Sequence, residues 1–202
     1  MVELFIDGGS FMWPILAIFI VGLVFVGERL MHLISTLKWG EEFADEVTNK
    51  LDGSGVLEAQ SACEKGNGPI ANLFLVGLEN INKGASGVEK SIDAQANVEM
   101  ASLEKNMTWI ALCIATAPML GFLGTVWGMV SAFDAIAAAD NISAKIVAEG
   151  ISQALLTTAF GLVVAVILQI LQNTVLYIID NQIVAIQKSV NALLKSVEKF
   201  SK

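Results

Sequence analysis

Two threonines pose the chemical question. Thr125 and Thr158 lie inside uncharged apolar runs, Met107 to Phe133 and Gly150 to Ile179, that contain no Asp, Glu, Lys, Arg or His. A hydroxyl at membrane depth can accept or donate a hydrogen bond, but it does not titrate. Such groups can line the path of an ion, whereas a proton or ion carrier normally needs an ionisable side chain within the membrane. If this chain conducts, a partner supplies the carboxylate. The same threonines have a simpler use, returning a hydrogen bond to a carbonyl of the preceding turn. Gln169, Gln172 and Asn173 must face protein or water, because an unsatisfied amide in hydrocarbon is costly. Glu28, His32, Asp134 and Glu149 stand near the ends of the runs and read most simply as interfacial residues.

Other chemistry is poorly provided for. His32 is the single histidine, there is no HExxH sequence, and no pair of aspartates lies in an apolar run, so an intramembrane enzyme is not indicated. No Gly-rich phosphate loop, CxxC or haem motif occurs, and no cofactor or metal is expected. Cys63 sits in a polar stretch and Cys113 in an apolar run, which is neither a disulfide framework nor a metal cluster. A net charge of −8 and a pI near 4.6 argue against nucleic acid, which needs clustered Lys and Arg.

The elements that must position these residues are membrane helices. Of 202 residues, 54% are hydrophobic and 16% charged, and the mean hydropathy is +0.65. Phe11 to Gly27 is a third uncharged run, ended by Glu28 and Arg29. A hydrocarbon core of roughly 30 Å needs about 20 helical residues, so all three runs can span it. The first reads as an uncleaved span, because Glu3 and Asp7 precede it in place of basic residues and no small-residue cleavage site follows. Lys and Arg cluster after the first span, before the second and after the third, which places those ends in the cytoplasm. The expected organisation is a short periplasmic N-terminus (1–10), transmembrane helix 1 (11–34), a cytoplasmic helical insert (35–105), transmembrane helix 2 (106–138), a periplasmic loop (139–145), transmembrane helix 3 (146–180) and a cytoplasmic amphipathic helix (181–202). This is an all-α membrane protein.

Turn signals at Asp52 to Gly55, Gly66 to Pro69 and Lys83 to Gly87 divide the insert. Between them Leu73, Phe74, Gly77, Leu78 and Ile81, then Val88, Ile92, Ala96 and Met100, recur at helical spacing. No breaker follows Gly87, so the stretch from Ser86 is expected to run straight into the second span as one helix. Ile183, Ile186, Val190, Leu193, Val197 and Phe200 step by three and four, and the third span is expected to continue along that seam into the cytoplasm. On a wheel of about 100° per residue, Pro118, Gly121, Thr125, Gly128 and Ala132 share one face of the second span. Ile151, Ala154, Thr158, Gly161, Ala165, Gln169 and Gln172 share one face of the third. Small faces let helices approach closely in a bilayer, and Gly124 with Gly128 forms a GxxxG contact. One Thr at the middle of each small stripe is how a close-packed, weakly polar pore lining would be written.

Two stretches resemble the MotA/TolQ/ExbB proton-channel family, within it the ExbB/TolQ branch. Ala117-Pro-Met-Leu-Gly-Phe-Leu-Gly-Thr-Val-Trp-Gly-Met129 is similar to its APxxGLxGTVxGM signature, and Gly150-Ile-Ser-Gln-Ala-Leu-Leu-Thr-Thr-Ala-Phe-Gly-Leu162 to its GIxxALxTTAxGL signature. The resemblance implies a stator subunit of a bacterial inner-membrane motor driven by the proton motive force. It implies a pentameric ring around the helices of an ExbD- or TolR-like single-span partner carrying a membrane aspartate, with work delivered to a TonB- or TolA-like protein. It maps pore threonines to Thr125 and Thr158, with Thr157 ranked lower because it points about 100° away. The packing positions are Pro118, Gly121, Gly124, Gly128 and Gly161. A Thr hydroxyl could follow the partner's acid through both protonation states, accepting from one and donating to the other.

One position departs from the pattern. Gln153 is counted with Thr125, Thr158 and Thr157 among the candidate ion-pathway residues, yet many members of the branch have a Glu there, and Gln carries neither proton nor charge. H⁺ is the expected transported ion, with Na⁺ the alternative, since amide and hydroxyl oxygens can ligate it. From a different class comes a third reading, a non-conducting oligomeric scaffold in which the small stripes serve packing alone.

Overall fold

The computed structural model describes residues 2–37, 40–66, 68–138 and 144–200, and among them every regular element is a helix. The order is α1 (Val2–Asp7), α2 (Met12–Leu37), α3 (Glu41–Ser54), α4 (Val56–Lys65), α5 (Pro69–Glu79), a 3₁₀ turn (Ile81–Lys83), α6 (Gly84–Leu103), α7 (Met107–Ala138) and α8 (Ala144–Phe200). Among the described residues three helical stretches are long and apolar enough to cross a membrane, and they contain the second and third uncharged runs and all of the first but Phe11. The chain is a multi-pass membrane protein. Most of the expected loop 139–145, with Lys38 and Lys202, lies outside the described residues.

Local sequence explains most of the element ends. Pro14 falls in the first turn of α2, where its missing N–H costs nothing. Gly55 at φ +93° ends α3 and opens α4, a conformation that side chains with a Cβ avoid. Pro69 begins α5, its fixed φ suiting the first helical position. The segment before α2, expected only as a short N-terminal stretch, forms the helix α1.

One expectation is corrected. The stretch from Ser86 does not run straight into the second span: α6 ends at Leu103 and α7 starts at Met107, with a turn between them. Asn106 adopts φ +65° there, a left-handed conformation that Asn tolerates better than most residues. Its side-chain amide donates to Glu28 Oε2 at 2.9 Å, and its carbonyl accepts the N–H of Trp109. Neither Gly nor Pro marks this break, so the apolar pattern passed over it. α8, by contrast, is one helix of 57 residues that includes the third span and the tail.

The chain divides into two compact units. One comprises Met1–Glu28 with Asn106–Thr174, the other Arg29–Lys105 with Val175–Lys202. In the first, Ile15, Cys113, Ala117, Val164 and Leu168 form a buried apolar cluster from α2, α7 and α8. The second packs the insert helices on the C-terminal part of α8, with Leu73, Phe74, Val88 and Leu193 wholly enclosed.

Within the second unit the buried line along α8 is Val175, Ile179, Gln182, Ile186, Ser189, Leu193, Ser196 and Val197. It includes Ile186, Leu193 and Val197 of the expected seam, whereas Ile183 and Val190 are only half-buried. Three polar residues belong to the packed line. Of these, Gln182 Nε2 donates to the Leu33 carbonyl at 3.0 Å and Thr36 Oγ1 at 3.2 Å. Arg29 is also enclosed, 3% exposed, and its guanidinium donates to the Ser102 carbonyl in the last turn of α6. A buried charge of this kind is tolerable only when hydrogen-bonded.

Candidate functional site

The two signature stretches meet in the first unit, where α7 lies against α8. α7 turns Ala117, Gly121, Gly124, Gly128 and Ala132 inward, a row at steps of three and four, and α8 answers with Ala154, Thr157, Gly161 and Ala165. The backbones touch. A Cβ built on Gly161 would stand 2.6 Å from the Ala117 carbonyl oxygen, and one on Gly121 would stand 3.0 Å from that of Thr157. Gly124 leaves room for the Thr157 side chain itself, and Gly128 faces Ala154. Pro118 stands beside this row, half-buried, without ending α7. Close approach of this kind is what holds membrane helices together, because hydrocarbon offers no hydrophobic preference for protein over lipid.

The hydroxyls bind across and along this contact. Thr157 is 1% exposed, and its Oγ1 donates to the Ala154 carbonyl at 2.7 Å, with the Gly121 carbonyl at 3.3 Å. Thr158 is half-buried and donates to the same Gly121 carbonyl at 3.1 Å. Thr125, one turn along α7 from Gly121, is also half-buried and donates to the Phe122 carbonyl at 2.6 Å. So the neighbouring threonines of α8 differ sharply. Thr157 is a wedge inside the helix pair, while Thr125 and Thr158 keep part of their surface open.

Large apolar side chains cover most of the remaining outer surface of these helices, including Phe122, Val126, Trp127, Leu155, Leu162 and Val166. Amides interrupt it at the inner end of the third span. Gln169 donates to Asn173 Oδ1 at 3.0 Å, and Gln172 donates to the Met107 carbonyl at 3.4 Å. On the helical wheel, Gln169 and Gln172 continue the stripe that holds Thr158. Gln153 is placed elsewhere. Its amide packs on the backbone of Gly9, and with Asp7, Glu149 and Ser152 it lines an open hollow of about 380 Å³. The structure therefore groups Thr125 and Thr158 with the α7–α8 contact and sets Gln153 apart on the side of α1.

Two features escaped the reading of the residues. Gly22 of α2 is a contact position, where a Cβ would meet Leu168 at 2.7 Å, yet nothing in its surroundings distinguishes it from other glycines of apolar runs. The enclosure of Thr157 was signalled only by its position one residue from Thr158. In the second unit, burial pushes the Cys63 thiol up to about 12, against a smaller opposing pull from Lys50. Among the described residues no group of three or more His, Cys, Asp or Glu side chains could hold a metal ion.

Comparison with known proteins follows the same two stretches. Residues 65–188 match the model of the MotA/TolQ/ExbB proton channel family. The chain is 30% identical over 182 residues to a biopolymer transport protein ExbB homologue of Methanothermobacter thermautotrophicus, covering 90% of this chain and 64% of that one. It is 29% identical over 158 residues to the Tol-Pal system protein TolQ of Haemophilus influenzae, covering 73% and 69%. With the biopolymer transport protein ExbB of Pseudomonas putida it shares 26% over 173 residues, covering 76% and 53%. The chain thus spans between 53% and 69% of the length of these three curated relatives.

Proposed function

The chain belongs to the MotA/TolQ/ExbB proton channel family, on its ExbB/TolQ branch, and from that footing we propose that it is the stator subunit of an ion-driven motor. Five copies form a ring in the inner membrane, with the N-terminus outside and the insert and C-terminal helix in the cytoplasm. The ring encloses an ExbD- or TolR-like single-span protein that brings a membrane carboxylate, and the proton motive force passing through this pair drives a TonB- or TolA-type envelope process. No cofactor takes part, and H⁺ is preferred to Na⁺ as the coupling ion.

One observation carries the reading. On a surface that is mostly apolar, Thr125 of α7 and Thr158 of α8 each leave a hydroxyl partly open beside the contact of the two helices. The uncharged runs hold no acid of their own. Thr125 and Thr158 accordingly line the ion path, and the buried glycines with Thr157 hold the two lining helices in register. Gln153 lies outside that lining, which supports a path needing no titrating group at this position.

The reading is tested by the native mass of the assembly purified in detergent from its own membrane. The expected result is a ring of five chains holding fewer copies of a single-span protein with a membrane aspartate. A ring that never retains such a protein would leave the path without an acid and would favour a scaffold. Thr158→Val is expected to abolish energised function while leaving the ring assembled, and normal activity in that variant would remove Thr158 from the path.

A further inference from the structure

In the first unit, one face of α8 changes character along its length. On a wheel of about 100° per residue, Gln153, Phe160, Val164 and Ile167 fall within about 60° of one another. Below Gln153 that face is apolar, and together with Met12, Ile15 and Phe19 of α2 and Phe5 of α1 it encloses a groove of about 220 Å³. Met12, Ile15 and Val164 are buried and form its floor, while the rings of Phe5, Phe19 and Phe160 are half-buried walls. Val163 on the rim is 54% exposed. From Met12 to Phe19 the groove runs about 10 Å, at about 1.5 Å per residue, within the roughly 15 Å of one leaflet.

Two turns outward on the same face, Gln153 belongs to the open hollow of about 380 Å³ that Asp7, Glu149 and Ser152 complete. Its lining is two carboxylates, a hydroxyl and an amide, and the exposed Lys145 pairs loosely with Glu149 at 3.8 Å. In sequence, residues 1–10 and 134–149 carry Glu3, Asp7, Asp134, Asp140 and Glu149 against Lys145 alone.

We propose that the groove holds an acyl chain of a membrane phospholipid whose head group bears a protonated amine, with that amine seated on Asp7 and Glu149. At membrane depth an open apolar groove is filled by lipid or by another helix. Helices associate there through small residues that let backbones meet, and the small row of α8 is already used against α7. This groove is walled by phenylalanines and rimmed by Val163 and Ile167, a channel to which a flexible chain conforms and a second helix does not. Charge selects the head group. Anionic lipids are drawn by clustered Lys and Arg, whereas here acids outnumber the single lysine. An ammonium brings three donors to a hollow rich in acceptors.

The test is native mass spectrometry of the full chain, purified in detergent as its own assembly. Bound lipid is first exchanged against an equimolar mixture of phosphatidylethanolamine and phosphatidylglycerol with the same acyl chains. The parent protein is expected to retain the ethanolamine lipid in preference. An exposed ion pair contributes up to about fivefold in affinity. Asp7→Asn combined with Glu149→Gln should therefore erase the preference while lipid stays bound. Val163→Trp, which places an indole over the rim, should reduce retention of both lipids severalfold at unchanged helix content and oligomer mass. Equal retention of the two lipids by the parent, or a preference for phosphatidylglycerol, overturns the proposal. So does lipid retention that Val163→Trp leaves unchanged. A smaller oligomer in that variant with the same lipid count would give the groove to a second copy of the chain and overturn the proposal too. The two carboxylates lie on the surface, so their variant decides the head group even where the groove substitution disturbs folding.

Discussion

A methyl group added at Gly161 tests whether α7 and α8 meet as closely as the structure shows. Its carbon would stand 2.6 Å from the Ala117 carbonyl oxygen and 3.1 Å from the Gly121 Cα, and both are backbone atoms that no rotamer change can move aside. The helices would have to separate by several tenths of an ångström, lengthening the bonds from Thr157 and Thr158 to the Gly121 carbonyl, now 3.3 and 3.1 Å. Overpacking of this kind costs about 1–3 kcal/mol. Replacing Gly by Ala inside a helix offsets up to about 1 kcal/mol of that. Gly161→Ala should therefore destabilise by up to about 2 kcal/mol. Gly27→Ala is the control, since a Cβ there meets nothing within 4 Å and only the favourable helix term remains. The two alanine variants should differ by roughly 2 kcal/mol with opposite signs. Reversible unfolding by dodecyl sulfate in mixed micelles, followed through the tryptophan fluorescence of α7, measures the gap. Equal stability of the two variants would refute the close approach.

Asn106→Gly keeps the left-handed turn and loses the bond to Glu28, whereas Asn106→Ala also forces a Cβ into φ +65°, so the alanine variant should unfold first, by about 1 kcal/mol. The reverse order in the same unfolding assay would show that the break is not held by backbone conformation. With its thiol near 12, Cys63 should resist iodoacetamide at pH 8 in the folded protein and react once the chain is unfolded. The folded state then holds the thiol proton more tightly than the unfolded state does, so that stability is present below pH 9 and is lost as pH rises toward 12, at about 1.4 kcal/mol per pH unit. Rapid labelling at pH 8, or stability flat across that window, would contradict the burial. Gln182→Leu removes donors to the Leu33 carbonyl and Thr36 hydroxyl and should cost about 1 kcal/mol of stability. A more stable leucine variant would show that the amide contributes nothing to the α8 seam.

The large features of the fold were legible because long uncharged runs have few alternatives to membrane helices, and Gly and Pro mark the insert's turns at Gly55 and Pro69 by known backbone preferences. The break before α7 was not legible. Asn106 is held left-handed by a Glu some 78 residues away in sequence, a partner that no local pattern reveals. The α8 seam was legible in part, at Ile186, Leu193 and Val197. Periodicity was read from apolar letters alone, while the packed line also uses Gln182, Ser189 and Ser196, and the Gln182 amide finds partners on α2 that only folding supplies.

The site shows the same division more sharply. Residue types and spacing singled out Thr125 and Thr158, because a hydroxyl within a small-residue stripe is rare enough to notice. They could not distinguish Thr158 from Thr157 beyond an angle on a wheel, and they treated each hydroxyl as free to donate or accept. That freedom is removed by backbone geometry. Gly121 has no side chain, which lets α8 come close enough for its carbonyl to take hydroxyls from both threonines. The glycine that reads as a packing position is thus also what fixes the polarity of Thr158. Packing and chemistry in this stripe are not alternative explanations of the same residues: a larger residue at Gly121 would push α8 away, free the Thr158 proton, and return the hydroxyl to the two-way behaviour expected from its type alone.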